Sequence, residues 1–168
     1  MTTAQLSREK EVSLRAEFSA VDNTDWVLRL AREKGWERAN RSYLEAMRRR
    51  GAEEMASLMD AAGVGKRPSV DEALQLLEIA LSLWAPRVNI KHLHADEGEA
   101  HFQVRVIDCP TYKRIEAACW RGVTACSSWH HRQGWYDALG IAAEDTLVRE
   151  MKWGYGACVV RVKLRLRD

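Results

Sequence analysis

Apolar residues in the first half of the chain recur mostly at helical spacing. Leu14, Phe18, Val21, Trp26, Leu28 and Leu30 form the first set, opened by Ser7 as an N-cap and closed by Gly35. Asp22, Asn23, Thr24 and Asp25 interrupt it with side chains that favour caps over helix interiors. Either a helix restarts there or one long helix carries a polar patch. A second helix is predicted from Trp36 or Glu37 to about Ala62, with Ala39, Tyr43, Ala46, Met47, Met55, Leu58 and Met59 inward. Arg48-Arg49-Arg50-Gly51 is a candidate break within it. Gly63 to Pro68 has the composition of a loop. Ser69-Val70-Asp71-Glu72 is a capping box opening a third helix, with Leu74, Leu77, Ala80, Leu81 and Trp84 on one face and Pro86 beyond its end.

The period then changes. Ala100, Phe102, Val104 and Val106 alternate with His101, Gln103 and Arg105. With Val88, Ile90 and Leu93 before the turn Asp96-Glu97-Gly98, they predict a hairpin. Its histidines, His92, His94 and His101, read as satisfied surface residues. A strand-like run from Leu147 to Trp153, the turn Gly154-Tyr155-Gly156 and a final strand predict a second hairpin. The final strand puts Cys158, Val160, Val162, Leu164 and Leu166 on one face and Arg161, Lys163 and Arg165 on the other. The predicted class is α+β: N-terminal helices (1–85) packed on a small antiparallel sheet of two hairpins (86–168). A cysteine-bearing helical insert (110–140) joins the hairpins, and 1–168 forms a single domain.

Composition narrows the function classes. A net charge of +2 over 168 residues gives no basic excess for nucleic acid. No apolar run reaches the length of a membrane span. The polar N-terminus lacks the apolar core of a secretory signal, so a cytoplasmic location is expected, where thiols stay reduced. Four cysteines there favour metal binding, catalysis or packing over disulfides. Seven tryptophans serve either a core or an apolar pocket.

Three of the four cysteines, two adjacent histidines and two tryptophans fall between Asp108 and Gly134. Cys109 ends a strand and precedes Pro110, which suits the first turn of a helix from Thr111 to Ala118. A thiol at such a junction feels the helix N-terminus, which favours the thiolate a nucleophile needs. Cys126 and His130 are four apart, so one helix would turn both the same way, as a metal-binding or thiolate–imidazolium pair. His131 is then rotated by about 100 degrees, toward solvent or another wall. Cys158 joins from the inward face of the last strand. No cysteine pair has the short gap of a zinc finger or ribbon. Packing as small hydrophobes is the alternative for all of these thiols. Arg105, Arg114 and Arg121 are candidates for a substrate carboxylate.

The segments F-Q-V-R-V-I-D-C-P, C-W-R-G-V-T-A-C and W-G-Y-G-A-C-V-V-R-V-K-L resemble the cysteine framework of the L-2-amino-thiazoline-4-carboxylic acid hydrolase-like proteins. The stretch V-D-N-T-D-W-V-L-R-L-A-R-E-K-G-W-E-R-A-N is similar to the helix pair of a large branch of that family. More distantly, C-S-S-W-H-H-R-Q-G-W-Y-D-A-L-G followed by G-Y-G-A-C resembles 4-vinyl-reductase-like domains, small-ligand sensors or carriers of which some hold zinc through cysteines. Matched residue by residue, the resemblance falls on Cys109, Cys126 and Cys158, with Asp22 on the first helix; Cys119 fits less well. It implies a hydrolase of non-peptide C–N or C–S bonds that opens a cyclic isothiourea.

The expected function is therefore a cysteine-dependent hydrolase of a small C=N or thiazoline-like substrate. Cys109 or Cys126 is the nucleophile, Cys158 completes the site and His130 is the acid/base. Asp22, Trp26 and Trp129 are the expected substrate-binding residues. The alternative is a ligand- or metal-binding module without catalysis. No cofactor is expected; zinc on Cys109, Cys126 and Cys158 is the metal alternative. The expected partner is a small molecule, not nucleic acid or membrane, and homo-oligomerisation stays open.

Overall fold

A computed structural model describes residues 6–19, 25–96, 98–117 and 125–166. Four helices come first: α1 (Arg8–Ser19), α2 (Asp25–Lys34), α3 (Trp36–Ala62) and α4 (Val70–Trp84). Strands β1 (Val88–Asp96) and β2 (Glu99–Val106) form a hairpin. Helices α5 (Pro110–Ala117) and α6 (Ser128–Leu139) follow, then β3 (Ile141–Arg149), a single 3-10 turn (Met151–Trp153) and β4 (Cys158–Leu166). The fold is α+β, with four helices preceding and two interrupting a four-stranded antiparallel sheet of order β1-β2-β4-β3. Each predicted hairpin is present, and β2 joins β4 to make one sheet.

Local chemistry accounts for the helix ends. The Ser69 hydroxyl accepts the Glu72 amide at 3.2 Å while the Glu72 carboxylate accepts the Ser69 amide at 2.8 Å, closing the capping box of α4. Gly63 stops α3 in the left-handed region, where its amide reaches Asp60 O and the Val64 amide reaches Met59 O. Arg48-Arg49-Arg50-Gly51 does not break α3, which runs through it unbroken. Gly51 serves a different purpose: a Cβ there would lie 2.9 Å from the His131 ring and closer still to its carbonyl. On the facing helix, a Cβ on Gly134 would lie 2.7 Å from Ala52 N and closer still to Arg48 O. The two glycines let α3 and α6 approach backbone to backbone.

One face of the sheet covers the core. Ala100, Phe102, Val104 and Val106 of β2 and Cys158, Val160, Val162 and Leu164 of β4 pack against α4, with Met55, Leu58, Trp135 and Leu139 from α3 and α6. A smaller cluster, Val27, Ala39, Tyr43 and Met47, joins α2 to α3. Among the described residues no helix is long and apolar enough to cross a membrane.

The second hairpin begins earlier than its apolar pattern predicts. β3 starts at Ile141, and Met151 to Trp153 is a 3-10 turn outside the strand. The sequence Ala142-Ala143-Glu144-Asp145 hides the strand because, of its two acids, Asp145 is turned inward. Arg132 and Tyr136 of α6 satisfy it there.

Candidate active site

Cys109 is fixed by the chain on both sides. The hairpin ends at Val106, and the Ile107 amide is held by Arg87 O at 3.0 Å. Asp108 then pairs with Lys113. Pro110 supplies the first residue of α5, and the Cys109 carbonyl accepts the Lys113 amide at 3.1 Å. Cys109 is thus the N-cap residue, and its sulfur takes the place of a capping oxygen, accepting the Tyr112 amide at 3.4 Å. The hydroxyl of Ser128, the first residue of α6, lies 3.9 Å away.

Cys158 arrives from the other side. It starts β4, opposite Val106 in the register, and its sulfur accepts the Met151 amide at 3.4 Å. Its thiol interacts with the Cys109 thiol. The Cys158 thiol, with the Tyr112 and Thr111 amides and Ser128, lowers the Cys109 thiol from 9.0 to about 6 against the opposing effect of burial. The same interaction, together with burial, pushes Cys158 far up, so it stays a thiol. Burial raises Cys126 as well. Of the three, Cys109 alone is shifted toward the thiolate.

All three cysteines line one cavity of about 330 Å³. Trp84, Val106, Leu147 and Val160 give it apolar walls, and the half-exposed Trp129 stands at its rim. Its polar lining is Ser128, Arg132, Glu150 and Lys152. Arg132 is buried, and Asp145 grips it through two bonds of 2.7 and 3.0 Å, while the Tyr136 hydroxyl donates to the same carboxylate at 2.9 Å. This network fixes the guanidinium as part of the wall.

The structure brings Cys109, Cys126, Cys158 and Trp129 together. It does not bring His130 to them. The helix starts at Ser128, so Cys126 precedes it and the four-residue phase linking Cys126 to His130 does not apply. His130 is half-buried and packs edge-on against Trp129 at 4.7 Å between ring centres; burial and Arg48 lower its pKa. Trp26 lies against Tyr43 in the α2–α3 cluster, away from the cavity lining. Asp22 and Cys119 fall outside the described residues. Among the described residues no group of three or more His, Cys, Asp or Glu is arranged to hold a metal ion.

His131, set aside in the sequence reading, is the buried histidine. Its Nε2 lies 2.5 Å from Glu54, which also accepts Trp135 Nε1 at 3.4 Å and Arg50 Nε at 2.7 Å. His131 and Trp135 in turn support Trp84, a cavity wall, at 6.1 and 6.3 Å between ring centres. One signal for this lay in the sequence. Glu54 is seven residues from Met47 and four from Leu58, on the buried face of α3. For Ser128, Arg132, Glu150 and Lys152 the sequence carried no comparable signal.

No protein-family model and no curated protein matches the chain. Solved structures do match it in fold. One is trafficking protein particle complex subunit 3 from Naegleria fowleri covalently bound to palmitic acid. It shares 15% identity over 95% of this chain and 98% of that one, with a TM-score of 0.56. Another is the phenol-responsive sensory domain of the transcription activator PoxR with phenol. It shares 13% identity over 97% of this chain and 76% of that one, with a TM-score of 0.55.

Proposed function

We propose that this protein is a cysteine-dependent hydrolase of a small, largely apolar substrate with an electrophilic C=N carbon, of the thiazoline or cyclic isothiourea kind. One observation carries the reading. The sulfur that caps α5 accepts the Tyr112 amide, is shifted toward the thiolate, and belongs to a residue lining a largely apolar cavity of ligand size beside Cys158.

In this reading the Cys109 sulfur adds to the C=N carbon of a cyclic isothiourea. The ring C–S bond breaks, and the departing sulfur takes the proton that Cys158 had shared with Cys109. The carbon is then held on Cys109 as an open isothiourea. Water adds to it, and Glu150 takes the water proton and passes it to the former C=N nitrogen. The carbon–Cys109 bond then breaks as the new hydroxyl returns its proton to Cys158, which restores the Cys109 thiolate and releases a urea. Trp84, Leu147 and Val160 hold the apolar body of the substrate, and Trp129 closes the mouth.

A panel of cyclic isothioureas and thiazolines tests this. Turnover is expected in the wild type and absent in Cys109→Ala. Full turnover in that variant removes the proposal.

A second reading, a binding module without catalysis, is favoured by the apolar cavity wall and by the small ligands named for the two fold relatives. It predicts saturable binding that survives Cys109→Ala, with no product formed by either protein.

A further inference from the structure

The face of the sheet turned away from the helices carries its charge unevenly. At one end the cations are matched: Lys163 meets Glu99 at 3.1 Å and Arg165 pairs with Glu144. At the other end three arginines gather. Arg105 of β2 and Arg149 of β3 both lie opposite Val159 of β4, and Arg161 sits two residues further along β4, opposite Gln103. Among the described residues none of the three has a carboxylate partner. Adjacent strands are about 4.8 Å apart, so the three side chains rise from a patch roughly 10 Å wide. Like charges at neighbouring positions of one face repel, and among the described residues no acid relieves them.

A local distortion adds the third cation. Leu147 pairs with Val160 and lines the inner cavity, so simple alternation would turn Arg149 inward, opposite Cys158. The register shifts between Leu147 and Arg149, and the extra residue puts Arg149 opposite Val159, on the outer face. There its guanidinium lies over the Tyr155 ring, 5.7 Å from the centre, a contact that holds it without neutralising it. The three arginines, Gln103 and Tyr155 surround a depression of about 340 Å³. Guanidinium groups match phosphate oxygens in geometry as well as charge.

We propose that this depression binds a small phosphate ester, with the phosphate among Arg105, Arg149 and Arg161 and the organic part along Tyr155. The volume exceeds what a bare phosphate fills, which leaves room for that part. The site is separate from the thiol cavity and stands whether or not the hydrolase reading holds.

Calorimetric titration of the full chain with inorganic phosphate, pyrophosphate and AMP tests it. The expected result is saturable 1:1 binding, tighter for AMP than for phosphate and weakened by added salt. Arg105→Gln and Arg161→Gln are each expected to weaken it about tenfold or more. Lys163→Gln, at the matched end, is expected to leave it unchanged. All three variants should keep the wild-type rate of iodoacetamide labelling at Cys109, which reports an intact fold. The proposal is overturned if the wild type binds none of the three probes, or if the arginine variants bind as well as it does. It is also overturned if binding appears only with anionic lipid vesicles or a single-stranded oligonucleotide, because the face is then an extended polyanion surface and holds no small-ligand site.

Discussion

Cys109 and Cys158 line the same cavity, and the interaction between their thiols drives the two groups in opposite directions, Cys109 down to about 6 and Cys158 up. The pair therefore divides labour at neutral pH. One sulfur is an anion able to attack, and the other keeps its proton beside it.

Removing the Cys158 thiol should undo this. Iodoacetamide labelling of Cys109, followed residue by residue, is expected to rise with pH through a midpoint near 6 in the wild type. In Cys158→Ala the midpoint should move up toward the ordinary thiol value of 9.0. An unchanged midpoint would mean that the helix terminus alone sets the thiolate.

The same shift makes stability depend on pH. Cys109 ionises more readily folded than unfolded, so its contribution is lost as pH falls through about 6 and is full above the unfolded thiol pKa. Denaturant melts of wild type and Cys109→Ser should therefore diverge as pH rises from 6 to 9, with the wild type gaining. Parallel curves would contradict it.

Glu54 holds His131, Trp135 and Arg50 at once from a nearly fully buried position. Glu54→Ala leaves three donors without their acceptor and is expected to cost about 3–5 kcal/mol. Urea unfolding at neutral pH measures it. A loss below about 1 kcal/mol would show that the network does not support the α3–α6 contact.

Gly134→Ala tests the helix contact itself. Its Cβ would meet the backbone of Arg48 and Ala52, which cannot turn aside as a side chain could. The helices must part, and a loss of about 1–3 kcal/mol or more is expected. Gly65→Ala, where nothing lies within 4 Å of the added carbon, is the matched control and should change stability little.

Asp145 and Tyr136 should differ in weight. Asp145→Asn strips the buried Arg132 of its counter-charge and is expected to cost about 3 kcal/mol or more. Tyr136→Phe removes only one neutral donor and should cost about 1 kcal/mol. Equal losses would show that the charge is not what Asp145 supplies.

Much of the fold was legible because its signals are local. The Ser69 capping box, the alternation of β2 and β4, and the Cys109-Pro110 junction each follow from neighbours in the chain. Cys158 faced inward as its strand phase required. The site was less legible because distant contacts decide it. His130 and His131 are adjacent, and the rotation of α6 that buries His131 is set by Gly51 and Gly134 and by Glu54, 77 residues away. Cys126 could be assigned to a helix only by guessing its start, which lies at Ser128. Arg132 reaches the cavity because Asp145, across the turn in β3, holds it there. Trp26 had the aromatic character of a pocket residue, and packing against Tyr43 took it elsewhere.

The most direct test of the central claim is a single-turnover reaction of the full chain with 2-aminothiazoline-4-carboxylate and with unsubstituted 2-aminothiazoline, quenched in acid and mapped by peptide mass spectrometry. The account predicts a transient substrate-derived adduct on Cys109, product release in the wild type, and neither adduct nor product in Cys109→Ala. Product formed at the wild-type rate by Cys109→Ala, or ligand bound by both proteins with no adduct and no product, would contradict it.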